Sequence, residues 1–342
     1  IEKHRENIRN KQKINWSDPP KVSIIVPAYN EEVNIVKTIS NLKEQDYPNF
    51  EIIFVDDGSK DRTLEYVQKA FDGDKSVRIL TEPNSGKASA LNFGIKSSDT
   101  EYIVCIDADT QLRKDAIKLL MEHFILDAAH KIGAVAGNVK VGNQRNMLTR
   151  WQAIEYTTSQ NFDRMAYSCI NAITVVPGAI GAFRKSAIVD AGGFDTDTLA
   201  EDCDLTMRIL EKGYVIENEN RALAMTEAPE NVRQFVKQRT RWCFGVLQTF
   251  WKHRSSLFNR KMKGFGLWAM PNMLVFQYII PTFSPLADLM MIIGLFSGNA
   301  WQIFIYYLIF LLVDGSVSIM AYIFEKEPLW VLLWIIPQRF FY

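Results

Sequence analysis

The sequence predicts an α/β domain with a mostly parallel sheet, followed by interfacial and transmembrane helices. Three observations predict it. Short apolar, β-branched runs alternate with helical stretches through the first 140 residues, the pattern of βαβ units with helices on both sheet faces. Polar turns rich in Asp and Asn follow these runs, which sets them along the one sheet edge where open α/β sheets bind ligands. Beyond residue 264, two apolar stretches each exceed the ~20 residues that a bilayer requires.

The elements follow in order. Residues 1–20 are polar and charged and end in Asp18-Pro-Pro20, which suits a linker or an amphipathic arm. A strand over 22–26 is closed by Pro27. Asn30, in Ala28-Tyr-Asn-Glu-Glu32, stands where it could cap a helix running to about Lys43. A strand over 51–55 ends in Asp56-Asp-Gly-Ser59, and a helix over 62–71 follows. A strand over 77–80 leads through Glu82-Pro-Asn-Ser-Gly86 into a helix from Lys87 to about Ile95. The strand over 102–106 ends in Asp107-Ala-Asp109, then come a helix over 114–126 and a strand over 133–136.

The rhythm then changes. Residues 146–166 read as one helical stretch and 174–176 as a strand. Pro177 to Arg184 reads as a Gly-rich turn where a ligand could approach the backbone. Leu199-Ala-Glu-Asp202 opens a helix to Glu211, so Glu201 and Asp202 sit near its positive N-terminal end. Residues 231–252 form a long helical stretch containing Gln238-Arg-Thr-Arg-Trp242. Its aromatic residues alternate with Arg and Lys, as suits a helix at a membrane interface.

Residues 265–296 carry one formal charge, Asp288, and three prolines (Pro271, Pro281, Pro285) that would break or kink a helix. Residues 300–324 carry one charge, Asp314, and 329–337 read as the start of a third span. The null alternative is a buried pair of core helices. Lys252, His253, Arg254, Arg260, Lys261 and Lys263 flank the first span and predict that the preceding soluble domain is cytoplasmic, in a multi-pass cell-membrane protein. Asp288 and Asp314 could face a polar path. The expected domains are therefore 1–20, 21–230, 231–264 and 265–342, with both ends reading as cut.

Composition narrows the function classes. Lys+Arg and Asp+Glu are both 39 in 342 residues, which gives no support for a nucleic-acid partner. The mean hydropathy of -0.07 averages a polar domain with the apolar tail. Cys105, Cys169, Cys203 and Cys243 show neither metal nor disulfide spacing and read as buried thiols in a reducing compartment. Gly-x-Gly-x-x-Gly and Walker fingerprints are absent, against a dehydrogenase or P-loop enzyme.

Asp107 and Asp109 are the sharpest chemical signal. Carboxylates two apart at a strand end converge and repel unless a cation lies between them, and oxygen ligands favour Mg²⁺ or Mn²⁺. A solvated turn capping the next helix would use the same residues.

Val26-Pro-Ala-Tyr-Asn-Glu-Glu32, Asp56-Asp-Gly-Ser59, Asn84-Ser-Gly-Lys-Ala-Ser-Ala-Leu91, Asp107-Ala-Asp109, Glu201-Asp202 and Gln238-x-x-Arg-Trp242 occur in that order. Over residues 20–255 the chain resembles the processive family 2 glycosyltransferases, which include the synthases of cellulose, chitin, hyaluronan and poly-N-acetylglucosamine. The usual Thr-Glu-Asp stands here as Ala200-Glu-Asp202.

The resemblance implies a GT-A nucleotide-diphospho-sugar transferase domain. It implies that Asp56 and Asp57 meet the uracil and ribose of a UDP-sugar and that Tyr29 packs on the uracil. Lys87 and Asp107 would contact the sugar-nucleotide, and Asp109 would hold Mg²⁺ or Mn²⁺ on the diphosphate. Asp202 would be the general base, with Glu201 its rival. Gln238 and Arg241 would hold the pyrophosphate, while Gly178 and Trp242 would meet the acceptor. Lys87 could equally be a surface lysine, and Arg241 and Trp242 could simply anchor the helix at the interface.

The expected partners are a UDP-sugar donor, the growing polysaccharide and the bilayer, with export proteins or a fused domain beyond the ends. UDP-N-acetylglucosamine is the first choice of donor. The alternatives are a UDP-glucose β-glucan synthase, a non-processive glycolipid transferase, and a non-catalytic sugar-nucleotide sensor.

Overall fold

The structure, a computed structural model, describes residues 14, 16–298, 300–335 and 337–338, apart from the side chains of residues 287 and 288. Most of the expected N-terminal arm, and the Asp288 side chain expected to face a polar path, lie outside the described residues.

The described strands are β1 (Val22–Ala28), β2 (Phe50–Asp56), β3 (Val77–Thr81), β4 (Tyr102–Cys105), β5 (Gln111–Leu112), β6 (Ile132–Val141), β7 (Gly181–Arg184) and β8 (Val215–Thr226). They form one sheet in the order β3-β2-β1-β4-β7-β6-β8-β5. β3, β2, β1 and β4 are mutually parallel. β7 runs antiparallel between β4 and β6, and β8 pairs parallel with β6.

Interleaved with the strands are α1 (Ile35–Lys43), α2 (Thr63–Phe71), α3 (Lys87–Lys96), α4 (Ala116–Leu126), α5 (Met147–Glu155), α6 (Phe162–Ser168), α7 (Lys185–Ala191), α8 (Glu201–Glu211) and α9 (Val232–Lys252). Every residue of β1 is buried. Alternation along the strand sends Val22, Ile24 and Val26 into one apolar layer, with Ile39 of α1, Val67 of α2 and Phe124 of α4. Ile25 enters the opposite layer, with Leu91 of α3, Ile188 of α7 and Leu205 of α8. A strand apolar on both faces can satisfy this two-sided burial only in the sheet interior.

Several expectations are corrected. Asn30 does not cap α1. Its φ is +58°, its Oδ1 accepts from the Lys60 amide at 2.8 Å, and α1 begins at Ile35. No strand forms at 174–176. The Val176 amide donates to Thr206 Oγ1 at 2.9 Å, so a side chain takes the place of a ladder partner. The Gly-rich segment is only partly a turn, because Gly181 onward is strand β7. The helical stretch from 146 is interrupted by a π-helix at Tyr156–Asn161. β8 and the short β5 had no clear sequence signal, since β8 carries Glu217, Asn218, Glu219, Asn220 and Arg221 at its centre.

Two further helices are long and apolar enough to cross a membrane: α10 (Phe265–Phe296) and α11 (Ala300–Glu325). Their apolar side chains are largely exposed, Phe296 at 89% and Leu312 at 62%, which is not the burial of a core helix pair. α10 stays helical through its prolines, with π turns at Phe265–Ala269 and Met273–Ile279. Such turns absorb the missing amide donors. Leu329–Trp334 is a 3₁₀ helix, and the described residues after it, 335 and 337–338, are α-helical. Its neighbourhood packs Val331, Leu332 and Trp334 around Trp151, Ile154 and Tyr322. Of the four cysteines, Cys105 and Cys203 are buried as expected, whereas Cys169 and Cys243 are exposed.

Candidate active site

β1, β2 and β4 point the same way, so the loops after them meet at one edge. The β4 loop brings Asp107 to Lys87, the first residue of α3, with Nζ 2.6 Å from Asp107 Oδ1. Glu201, the first residue of α8, approaches the same ammonium at 3.3 Å. Burial works to lower the Lys87 pKa, but Asp107, Glu201 and Asp202 outweigh it and hold the group above its ordinary value. Lys87 is therefore a fixed cation among carboxylates rather than a surface lysine. Gly178 closes the cluster: a Cβ there would stand 2.7 Å from Lys87 Nζ and 3.4 Å from Asp107 Oδ1. A narrow crevice lies here, lined by Lys87, Gly178, Phe194, Glu201 and Asp202 among others.

Asp202 accepts the Cys203 amide at 2.8 Å. Its carboxyl is pushed up to about 6, first by burial, then by Glu201, against the pull of Lys87. Asp109 is less compensated. Its Oδ1 accepts from the Thr110 and Thr226 hydroxyls at long range, 3.3 and 3.4 Å, and burial with the charge of Asp107 pushes it up to about 6. Glu31, which the sequence reading passed over inside a quoted motif, is pushed up to about 7 by burial and then by Asp109 and Asp107. The edge thus holds more negative charge than Lys87 neutralises. An all-oxygen donor set with excess anionic charge fits a hard divalent cation such as Mg²⁺ or Mn²⁺.

Asp56 and Asp57 follow β2, each 3% exposed, but they differ. Asp57 accepts the Ser85 amide at 2.7 Å and the Gly86 amide at 3.0 Å. Its carboxylate is committed to the loop that opens α3 and thereby sets the position of Lys87. Asp56 accepts the Ser59 amide at 3.2 Å and keeps a buried Oδ1 with no partner, an atom that asks for a ligand donor. Tyr29, after β1, is 40% exposed.

α9 crosses the start of α8. A Cβ on Gly245 would sit 2.7 Å from Ala200 Cβ, and the Leu199 amide donates to Gln248 Oε1 at 3.1 Å. Gln238 has a buried Oε1 without a partner. Trp242 lies 6.3 Å from Tyr156, centroid to centroid. Arg241 is exposed and makes no ion pair among the described residues, so it is not drawn into the carboxylate cluster here. Lys87, Asp107, Gly178, Glu201 and Asp202 are brought together; Tyr29, Asp56, Asp57 and Asp109 stand on neighbouring loops of that edge. Tyr156 was not singled out as a site residue; it was one of a few aromatic and apolar residues in a largely polar helical stretch.

Comparison with known proteins agrees with this architecture. Residues 23–190 match the family described as Glycosyl transferase family 2. The chain is 33% identical over 276 residues to a poly-beta-1,6-N-acetyl-D-glucosamine synthase of Staphylococcus aureus (strain COL), covering 81% of this chain and 65% of that protein. It is 36% identical over 234 residues to the protein of that name from Staphylococcus epidermidis, covering 67% and 56%. The chain thus spans less than two thirds of these relatives. A mannosyltransferase from Pyrobaculum calidifontis, solved with GDP-Man and Mn2+, shares the fold, with a TM-score of 0.60 and 23% identity over 94% of this chain and 93% of that one.

Proposed function

We propose, from the premise that the chain is a family 2 glycosyl transferase by its domain at residues 23–190, that it polymerises a β-linked N-acetylglucosamine chain from UDP-N-acetylglucosamine at a membrane. The observation that carries the reading is the meeting of Asp107, Glu201 and Asp202 around the Lys87 ammonium at the strand-end edge. The names of the relatives at 33–36% identity support the sugar. α10 and α11 support membrane embedding and passage of the product, with the catalytic domain on the cytoplasmic side.

In this reading Asp56, through its unpartnered oxygen, receives a donor from the uracil or ribose, and Tyr29 packs on the base. Asp57 keeps the loop at 84–86 in place, so that Lys87 stands beside the sugar-nucleotide together with Asp107. Asp109, with Glu31 close by, would hold Mg²⁺ or Mn²⁺, which when bound offsets the negative charge on the departing diphosphate.

Asp202 takes the proton from an acceptor hydroxyl while that oxygen bonds to the anomeric carbon. The bond from that carbon to UDP breaks on the opposite face, so the configuration inverts. A carboxyl with pKa about 6 is ionised at neutral pH and basic enough to accept a proton that becomes acidic late in the step. Glu201, bound to Lys87, is the less available base. Gln238 and Arg241 serve the pyrophosphate, with Arg241 swinging in once donor is bound. Gly178 and Trp242 border the acceptor.

UDP release by the membrane-embedded protein, measured over a panel of UDP-sugars with Mg²⁺ or Mn²⁺ and with gel analysis of products, tests the reading. A long polymer from UDP-N-acetylglucosamine is expected. UDP release with single-sugar products would overturn processivity, and no turnover from any UDP-sugar would overturn the reading.

A further inference from the structure

The two arginines of Gln238-Arg-Thr-Arg-Trp242 have different surroundings. Arg241 is exposed. Arg239 is held by Glu155 through two parallel hydrogen bonds, Nη1 to Oε1 and Nη2 to Oε2, both 2.6 Å. The two side chains are only 24% and 23% exposed. The Arg239 guanidinium lies 4.7 Å from the centroid of the Trp242 ring and 4.9 Å from that of Phe235. Glu155 is the last residue of α5, directly before the π-helix. That helix begins with Tyr156, whose ring is tilted 39° to Trp242.

Two parallel hydrogen bonds fix the guanidinium plane, and a fixed plane against an indole restricts rotation of the indole. One side of Trp242 is thereby covered, leaving the rest of the ring for other contacts. A lysine at 239 would keep the charge but lose both the fork and the plane.

We infer that Glu155 and Arg239 are positioning residues that clamp Trp242 in the orientation in which it receives the saccharide end of the acceptor. The inference rests on the reading of the site given above. In the reading given above Trp242 meets the acceptor, so the clamp is expected to act on the acceptor more than on the donor.

The test uses the whole membrane-embedded chain with UDP-N-acetylglucosamine and short β-linked N-acetylglucosamine oligosaccharides as acceptors. Arg239→Lys and Glu155→Gln are expected to raise the acceptor KM about tenfold while the donor KM moves less than about threefold, and to shorten the product. Glu155→Asp, which keeps a two-oxygen partner, restores part of the loss. Melting temperature is measured for each variant. Wild-type acceptor KM and product length in Arg239→Lys would overturn the inference alone. So would an equal rise in both KM values together with a fall in melting temperature, since that marks a merely structural ion pair. Absence of polymer from the wild-type chain would overturn the reading of the site and this inference with it.

Discussion

Two acidic clusters involve α8, and they differ in how far cations offset them. At its N-terminus, Glu201 and Asp202 face Asp107 across a single ammonium, Lys87. Asp204, also in the first turn, and Glu211 at the far end meet Lys252, His253 and Arg208. Lys252 Nζ lies 2.8 Å from Asp195, 2.9 Å from Asp197 and 3.1 Å from Asp204. His253 bonds Asp204 at 3.0 Å and Glu211 at 2.9 Å.

The electrostatic consequence is opposite. Near the first cluster, Asp202 and Asp109 are pushed up to about 6. In the second, burial would raise Asp204, but His253, Arg208 and Lys252 bring it down to about 2. Asp195, Asp197 and Asp204 are close enough to share a metal ion, yet Lys252 already occupies that role. Proximity of carboxylates therefore does not by itself mark a site; in the proposed reading the larger deficit of cation does.

The largest expected effect is on the first cluster. Chelation of divalent cations should abolish UDP release and added Mn²⁺ should restore it, with no change in the packing of Asp195, Asp197 and Asp204. A large fall in melting temperature on chelation would break the comparison. Next, Asp202→Asn should retain UDP-sugar binding, measured by calorimetry, and lose transfer by about 10³-fold, within the range for removal of a general base. Unchanged turnover in that variant moves the role to Glu201.

Asp204→Asn should act on stability instead. It leaves three cations without their fully buried partner and should cost about 3 kcal/mol. Thermal unfolding would register this, and an unshifted melting temperature would show the second cluster to be dispensable.

The smallest effect is graded by pH and runs in opposite directions for the two clusters. Burial opposes the charge on His253, but Asp204 and Glu211 raise its pKa from 6.5 to about 9. A raised histidine stabilises the fold below 6.5, and that contribution declines as pH rises through about 9, by up to ~3 kcal/mol. Turnover should instead decline as pH falls through about 6, where Asp202 becomes protonated. A single pH profile for both stability and turnover would collapse the distinction.

The parallel half of the sheet was legible because its strands are apolar on both faces and end in polar turns, as at 22–28 and 102–109. β8 was not, because its central run of Glu and Asn is paired against β6 and tied by Arg221, whose Nε lies 3.0 Å from Glu219. The motifs singled out Asp109 and Asp202, and the structure sets both near Asp107 with raised carboxyl pKa values. Asp57's commitment to the loop at 84–86 was not, since Asp-Asp gives no indication which carboxylate turns inward. Glu31 was missed because nothing local raises a glutamate; its neighbours Asp109 and Asp107 lie more than 70 residues along the chain.

The sequence by itself determined the parallel strands β1 to β4 with the helices between them, the two long apolar helices, and the residue types available at each loop. These depend on periodicity and turn chemistry within a few residues. The tertiary structure alone decided which carboxylates share a cation, which arginine stacks on Trp242, and how close Gly178 brings the backbone to Lys87. Charge interactions fall off with distance and deepen with burial, and both quantities are set by packing between segments remote in the chain.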